Sequence, residues 1–474
     1  MQLRLEALSQ AEVEKLHVAT LAVLDKTGVI VDSKDARDLL KENGARVTGN
    51  SNIVTFPTAM VEKAISQINI TVTLAAREPH NSLVLPSNHT LNSTSGYSAY
   101  VYDMDDSKSR PSTNEDLADF AILSDALPEV DMFWPIAMPT EIESPQLQEI
   151  VALYTSFRNT SKHVQCSLSD GPTAILQIKL AAALAGGEDK LREAPLFSVV
   201  ASPFTPLTIR DGTGDAYVHM ARAGIPVTPM NVPMAGTTAP ATLPGAIVIT
   251  NAEQLATLLI LKSANKDAPM VYSSDTGSAD MKTGGMNYDS IDHIILNAAI
   301  AQLARFYGFP TCVSHDSCED KHYNNKAGFE RNALRIAING MTRSDLAVWM
   351  GSLDAALSCS LWDLLLDAEA VKLAKEYTRT VAVDDNALAV DAIAAAGPGA
   401  HYLNSPHTMK NFRKSLSLYS YDNSFIFADD GDFNEKAKSK VREILRTHSV
   451  SQIPADKLKA MDEVIAEARR FYNG

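Results

Sequence analysis

The chain has 474 residues and a formal net charge of -15, from 42 basic and 57 acidic side chains. Because nucleic-acid binding draws its affinity largely from basic patches, this acidic balance without a Lys/Arg cluster argues against a nucleic-acid partner. Hydrophobic residues make up 45% and charged residues 21%, which is typical of a globular protein and excludes the disordered and fibrous classes.

The first 110 residues are predicted to form an N-terminal helical cap and a small β element. The first helix begins at a capping-box pattern, in which Ser9 is followed three residues later by Glu12. Further helices are predicted at residues 35–43 and 57–68, and short strands at 70–74, 82–85, 90–92 and 100–102.

From residue 111 onward, helical segments, among them residues 291–307 and 361–378, alternate with short apolar strands. The seven strands predicted are residues 131–137, 162–167, 196–201, 225–230, 270–274, 310–314 and 346–350. Such alternation implies a parallel sheet with right-handed crossovers. The candidate for an eighth strand is Gly397–Leu403, which would complete a (β/α)8 TIM barrel. An open doubly wound sheet is the alternative, but it should carry a Gly-rich dinucleotide fingerprint, and none follows the first strand.

Two amphipathic helices, 433–448 and 455–472, end the chain. We therefore predict an α/β fold with two parts: residues 1–110, the cap and β element, and residues 111–474, the barrel with its C-terminal helices.

The four cysteines form no CxxC pair, which fits a reducing compartment. The first residues carry acids where a signal peptide would be continuously apolar, and no stretch reaches the about 18 apolar residues that span a bilayer. We expect a cytoplasmic protein with no membrane partner.

Residues 309–331 are the most informative stretch, because a buried strand is followed directly by polar side chains. In a parallel barrel the loops after the strands form the active-site face. His315, Cys318 and His322 have a spacing that could bind zinc, but no second Cys pair or acidic bridge completes a ligand set. We therefore expect no bound metal. No Ser-His-Asp signature, HExxH or P-loop follows any predicted strand.

Two further stretches are candidates for binding. Small residues at 230–245 would let the backbone approach a large planar ligand or a phosphate, although an ordered loop chosen for turn chemistry is the alternative. His401 and His407, with Arg413 nearby, could bind a carboxylate, or could belong to a capped helix start at Ser405.

Five motifs occur in an order that resembles the trimethylamine methyltransferase superfamily over essentially the whole chain. They are FWPIAMP (133–139), PMNVPMAGTTAPATLPGA (229–246), DTGSADMKTGG (275–285), KAGFER (326–331) and AGPGAHYLNSPHTMKNFR (396–413). This resemblance implies a (β/α)8 barrel that passes a methyl group from an amine to the cobalt of a separate corrinoid protein.

The trimethylamine member of the family carries pyrrolysine near the position of residues 316–318, where this chain has standard residues only. The resemblance thus points to the non-pyrrolysine branch, which demethylates quaternary amines such as glycine betaine, proline betaine or carnitine. The expected reaction converts glycine betaine to dimethylglycine and gives methyl-Co(III), with cobalamin carried by the partner protein.

We expect no side chain to act as general acid or base in this reaction. Aromatic faces suit a quaternary ammonium, which has no N–H to donate. The substrate-binding candidates are Tyr97, Tyr100, Phe204, Asn231, His315, Asp316, Trp349, His401 and His407. The candidates facing the corrin ring are Gly236, Thr237, Thr238, Gly245 and Asp275.

Two rival functions stay open. One is a zinc-assisted barrel methyltransferase for a thiol acceptor, and the other is a non-catalytic barrel that binds betaines or a corrinoid protein. The oligomeric state is also open, with a homo-oligomer as one option.

Overall fold

The structure is a computed structural model that describes residues 3–47, 51–68, 70–288, 290–314, 326–416 and 432–473. Its helices are α1 (Gln10–Lys26), α2 (Lys34–Glu42), α3 (Thr58–Ile65), α4 (Asn114–Ala126), α5 (Pro145–Asn159), α6 (Gly171–Ala185), α7 (Glu188–Glu193), α8 (Asp211–Ala223), α9 (Leu243–Ala264), α10 (Ile291–Tyr307), α11 (Lys326–Met341), α12 (Leu361–Thr378), α13 (Asp385–Leu388), α14 (Val390–Ala396), α15 (Pro406–Ser415), α16 (Phe433–Thr447) and α17 (Ala455–Asn473).

The strands are short. They are β1 (Val29–Val31), β2 (Arg46–Val47), β3 (Ile53–Thr55), β4 (Val72–Leu74), β5 (Leu83–Leu85), β6 (Leu91–Thr94), β7 (Tyr100–Tyr102), β8 (Ser109–Pro111), β9 (Val164–Ser167), β10 (Phe197–Val200), β11 (Thr208–Ile209), β12 (Val227–Thr228), β13 (Met234–Ala235), β14 (Tyr272–Ser274), β15 (Gly277–Ser278), β16 (Thr311–Ser314), β17 (Leu346–Met350), β18 (Ser352–Leu353) and β19 (Ser358–Cys359). Together they form an α/β fold.

Two parallel sheets form the centre of this fold. One has four strands in the order β14-β16-β17-β6, and the other has three in the order β12-β10-β9. Isolated parallel bridges link the two sheets at both edges. Ser93 pairs with Met132 and Phe133 pairs with Val164 at one edge, and Val227 pairs with Met270 at the other.

The prediction that Gly397–Leu403 is an eighth parallel strand is wrong. That segment contains no strand and lies between α14 and α15. β17 pairs parallel with β16 on one side and with β6 on the other, where Leu346 lies opposite Leu91. β6 precedes all seven strands of the predicted barrel and lies within the part of the sequence predicted to be a separate small β element.

The helices and most strands of the second part agree with the sequence. Residues 291–307 and 361–378 are helices with the predicted bounds. The capping box of α1 is also present, because the Glu12 carboxylate accepts hydrogen bonds from the Ser9 N–H at 2.8 Å and from its hydroxyl at 2.7 Å.

Apolar side chains fill both the inside and the outside of the strand layer. Inside, Met132, Val200, Met230 and Val271 join Val72 and other side chains of the β4–β5 hairpin. This hairpin meets the amino ends of the strands, because the Ala75 N–H donates to the carbonyl of Pro195, two residues before β10. The carboxyl ends are consequently the end that remains available for a ligand.

Helix α9 is apolar enough to cross a membrane by length and composition. Its most apolar window has a mean hydropathy of 1.4, and 72% of that window is buried inside the protein. A core helix passes the same test, and burial of this kind is typical of one.

Candidate active site

A cavity of about 310 Å³ lies at the carboxyl ends of the parallel strands. Each strand contributes the residues that end or directly follow it, as expected where loops after parallel strands converge. The lining residues are Ser95, Gly96, Trp134, Glu149, Ser167, Leu168, Val200, Ser202, Met230, Val232, Asp275, Tyr288, Ser314, Val348 and Ala356. Two carboxylates and two large aromatic rings are therefore combined with four serine hydroxyls.

Glu149 is the first of the two acids. It comes from the first turns of α5, where its neighbours Leu147, Ile150 and Val151 are buried. Its Oε2 accepts two hydrogen bonds from Ser169, from the backbone N–H and from the hydroxyl, both at 3.1 Å. Burial raises the pKa of Glu149 to about 7, against the opposing effect of these hydrogen bonds. The carboxyl thus changes charge near neutral pH.

Asp275 is the second acid, and it directly follows β14. Its Oδ1 lies 3.1 Å from Nε2 of His293 on α10, and its Oδ2 accepts a hydrogen bond from the Tyr288 hydroxyl at 3.2 Å. The rings of Tyr288 and His293 meet edge to face, with centroids 5.9 Å apart. Asp275 is 6% exposed, so these two partners hold both its position and that of the Tyr288 ring.

Trp134 supplies the other aromatic wall. It follows the Met132–Phe133 bridges, and its Nε1–H donates to the Ser167 hydroxyl oxygen at 3.3 Å. Gly96 packs on this ring, since a Cβ at Gly96 would lie 2.2 Å from Cε2 of Trp134. A glycine is therefore required at this position for the indole to keep its place.

The loop residues predicted to face a corrin ring lie beside the cavity. β13 pairs parallel with β15, so the loops 234–239 and 275–285 run side by side above it. Gly236 has a φ of +101°, and Thr238 accepts a hydrogen bond from the Met234 N–H at 2.9 Å. Thr237 is exposed beside them, whereas Gly245 lies in the first turn of α9, where a Cβ would meet Pro240 at 2.8 Å. Of the five candidates, Asp275 is the one that lines the cavity.

Three predicted aromatic residues lie outside the cavity lining. Tyr97 is partly buried near it, with its hydroxyl 3.6 Å from the Cys166 sulfur, and burial raises the pKa of this tyrosine. Tyr100 is 46% exposed on β7. The Phe204 ring is 53% exposed and lies under the Arg210 guanidinium at 3.6 Å.

Trp349 and Asn231 are fully buried rather than exposed to the cavity. Trp349 packs among the side chains between β17 and the helices α11 and α12, because side chains alternate along a strand and Val348 takes the inward position. Asn231 donates to the Glu253 carboxylate at 2.7 Å and to the Thr250 carbonyl at 3.1 Å. Its amide therefore supports the loop above the cavity.

The predicted histidines are not brought to the cavity within the described residues. His401 is exposed between α14 and α15. His407 lies on α15, where its Nε2 is 3.1 Å from the Asn386 carbonyl, and it borders a separate surface cavity of about 670 Å³. His315 and Asp316 lie outside the described residues, as do Cys318 and His322.

Within the described ranges, no group of three or more His, Cys, Asp or Glu side chains is arranged to hold a metal ion. The proposed zinc ligands at 315, 318 and 322 fall outside these ranges.

The sequence did not identify the three other lining residues that carry an acid or a large aromatic ring. Glu149 is an acid among buried apolar positions of α5, and that pattern was available. Trp134 lies in a quoted motif at a predicted strand. Tyr288 follows the loop of another motif, but no periodicity marks it as facing a cavity.

The sequence of residues 2–472 matches the family model described as trimethylamine methyltransferase (MTTB). The chain belongs to this family and is a methyltransferase of it. A trimethylamine methyltransferase of Desulfitobacterium hafniense (strain DSM 10664 / DCB-2) is 30% identical over 472 residues, covering 99% of this chain and 95% of that protein. A glycine betaine methyltransferase of D. hafniense (strain Y51) is 28% identical, covering 93% of this chain and 90% of the relative.

The crystal structure of the Methanosarcina barkeri monomethylamine methyltransferase aligns with 97% of this chain and 92% of its own, at 11% identity and a TM-score of 0.49.

Proposed function

We propose that this methyltransferase removes a methyl group from a quaternary ammonium and passes it to Co(I) of a corrinoid carried by a separate protein. The observation that carries the proposal is the composition of the cavity: Glu149 and Asp275 beside Trp134 and Tyr288, with no Lys or Arg among its described lining residues. A quaternary ammonium has no N–H, so ring faces and carboxylates are the groups that attract it.

The proposed methyl transfer requires no proton transfer by the side chains. One methyl group leaves the nitrogen, which keeps the electron pair of the broken C–N bond and becomes a neutral tertiary amine. The methyl carbon bonds to cobalt, whose formal oxidation state rises from +1 to +3, and no proton moves. Because the leaving nitrogen is already cationic, the cavity needs only to position and desolvate the substrate. The absence of a general acid or base stays a prediction.

The corrinoid would approach the rim formed by the loops 234–239 and 275–285. These loops fit a broad planar group, because a Cβ at Gly284 would meet no atom within 4 Å and Met281 is 75% exposed there. Gly236, Thr237 and Thr238 lie on the same rim, and Asp275 lies beneath it. Gly245 would act indirectly, by allowing the first turn of α9 to pack on Pro240.

We also propose that the parallel strands form one closed (β/α)8 barrel, with Met132–Phe133 and β6 as two of its eight members. The bridges at both edges of the two sheets support this closure. The division at residue 110 stays a prediction, and under this proposal β6 would belong to the barrel. The family supports a role in methylamine metabolism. A cytoplasmic location and a homo-oligomeric state stay predictions.

Glycine betaine, converted to dimethylglycine, is the substrate predicted from the sequence, and the relative named for it is 28% identical. The test is to mix the purified protein with its corrinoid protein as Co(I) and to follow methyl-cobalt formation spectrophotometrically. Glycine betaine, proline betaine, carnitine, choline and trimethylamine are supplied separately. We expect turnover with at least one quaternary amine and none with trimethylamine. If no quaternary amine gives methyl-cobalt, the proposal is wrong and the non-catalytic or zinc-assisted alternatives gain.

A further inference from the structure

The cavity carries a charge pattern that discriminates among quaternary amines. It has two carboxyl side chains, Glu149 and Asp275, and its described lining residues include no Lys, Arg or His. Two basic side chains lie near the cavity without lining it. His293 is 2% exposed and stands behind Asp275, with its Nε2 3.1 Å from Asp275 Oδ1, and Arg335 donates to the Tyr288 carbonyl at 2.7 Å. A ligand in this cavity therefore meets acids without a facing basic side chain in the described part of the chain.

The two acids differ in how much of their hydrogen-bonding capacity is used. Both oxygens of Asp275 have partners, His293 and Tyr288. Glu149 accepts its two described hydrogen bonds at Oε2, both from Ser169, whereas Oε1 accepts none from the described residues. Glu149 thus keeps one carboxylate oxygen available to a bound cation, in a site where burial already disfavours an uncompensated charge.

A betaine brings its own carboxylate into the cavity along with its ammonium group. In about 310 Å³, the substrate carboxylate cannot be placed far from both acids, and like charges in a partly desolvated site repel strongly. A hydroxyl in place of that carboxylate meets no such penalty. Ser95, Ser167 and Ser202 line the cavity and can exchange hydrogen bonds with it.

From this charge pattern we infer that the amine accepted by the cavity is a quaternary ammonium without a carboxylate, with an uncharged or hydroxyl-bearing substituent, and that Glu149 enforces the choice. This inference rests on the proposed function, and it replaces glycine betaine, the substrate expected from the sequence, with a quaternary amine that lacks a carboxylate.

Choline and glycine betaine form the matched pair of probes, because they differ only in CH₂OH against CO₂⁻. Their dissociation constants for the wild-type protein are measured by calorimetry at pH 8, with tetramethylammonium as a third ligand and without corrinoid protein. We expect choline and tetramethylammonium to bind at least about tenfold more tightly than glycine betaine, as like-charge repulsion requires. Equal or tighter binding of glycine betaine would overturn the inference, as would no binding of any of the three.

The Glu149→Gln variant tests the residue. It should bring the choline and glycine betaine dissociation constants to within about threefold of each other, since neutralising one acid removes both an attraction and a repulsion. Asp119→Asn is the matched control: Asp119 is a partly buried acid on α4 outside the cavity lining, and burial raises its pKa to about 6. Asp119→Asn should leave the ratio of the choline and glycine betaine dissociation constants at its wild-type value. An unchanged ratio in Glu149→Gln would remove Glu149 from the inference, and a ratio altered equally by both variants would overturn it.

Methyl transfer with the corrinoid protein separates this inference from the proposed function. Choline binding in the expected order without methyl-cobalt formation would refute methyl transfer and leave the charge selection standing. Efficient methyl transfer from glycine betaine and none from choline would refute the charge selection and leave the proposed function standing.

Discussion

Buried charged side chains differ in their hydrogen bonding between the two ends of the central strands. At the amino ends, Lys162 precedes β9 and donates to three backbone carbonyls, those of Ser124, Leu127 and Val130, at 2.6 to 2.7 Å. Asp345 precedes β17 and accepts from the N–H groups of Thr311 and Ser87 at 2.8 and 2.7 Å. At the carboxyl ends, Glu149 has one oxygen without a partner among the described residues.

This difference separates stability from binding. The charges at the amino ends are surrounded by hydrogen bonds from the protein itself, so each of them holds loops and strand ends in place. Glu149 at the carboxyl ends has hydrogen bonds from the described residues on one oxygen only, so a bound cation can supply the interaction that the protein does not. The general division of parallel barrels, with stability at one face and chemistry at the other, follows from such particular side chains.

The largest effect is expected at the amino ends, in Lys162→Met. The substitution removes the Lys162 donor from the carbonyls of Ser124 and Val130, while the Leu127 carbonyl keeps a hydrogen bond from the Val130 N–H. One unsatisfied buried group costs about 1 to 3 kcal/mol, so the free energy of unfolding should fall by about 2 kcal/mol or more. Chemical denaturation measures it. Lys179→Met is the control, since Lys179 pairs with Glu467 on the surface and should cost less than about 1 kcal/mol. Equal losses in the two variants would contradict the assigned role of Lys162.

Glu149→Gln should lower the activity without lowering the stability, which is the opposite of what Lys162→Met should do. Because the carboxyl binds the cation and is costly to bury, kcat/KM for the accepted amine should fall about 10- to 100-fold, while the free energy of unfolding stays the same or rises. Initial rates of methyl-cobalt formation and denaturation curves are measured on the same preparations. A variant that loses stability but keeps kcat/KM would place Glu149 among the structural charges.

The pH dependence of substrate binding should reflect the ionisation of Glu149. Burial raises the pKa of Glu149 to about 7, so the group is mostly neutral at pH 6 and mostly ionised at pH 8. Affinity for a quaternary ammonium should therefore increase with pH, by up to about tenfold between these values. Calorimetric titration at several pH values measures this. In Glu149→Gln the increase in affinity with pH should disappear. If the increase persists in this variant, another group is responsible for it.

The last prediction compares two tryptophans. Trp134→Leu removes a ring face from the cavity and should weaken cation binding about 2- to 30-fold, the range corresponding to about 0.5 to 2 kcal/mol. Trp349→Leu, one residue beyond the inward-facing Val348, should leave the dissociation constant unchanged and lower the stability. If Trp349→Leu weakened binding and Trp134→Leu lowered only the stability, the assignment of the inward and outward strand faces would be wrong.

Much of the fold follows from local patterns. Apolar runs predicted strands at 162–167, 196–201, 310–314 and 346–350, and the structure has strands at 164–167, 197–200, 311–314 and 346–350. Helical periodicity predicted α10 and α12 with their observed bounds, because these signals depend on residues close in the chain. The eighth strand was assigned wrongly, since several short strands near residues 70–110 look alike in sequence. Only the pairing with β17, more than 250 residues away, distinguishes β6 from them.

The site divides in the same way. Asp275 could be predicted as functional because it directly follows an apolar strand. Glu149 could not, because an acid on a helix reaches a cavity only for one rotation and position of that helix, and those depend on packing against α4, α6 and α17. The sequence by itself determined most helices and strands and the family. Only the tertiary structure brought Glu149, Asp275, Trp134 and Tyr288 together around one cavity. These residues belong to separate chain segments, and spacing in the sequence gives no signal of their distance in space.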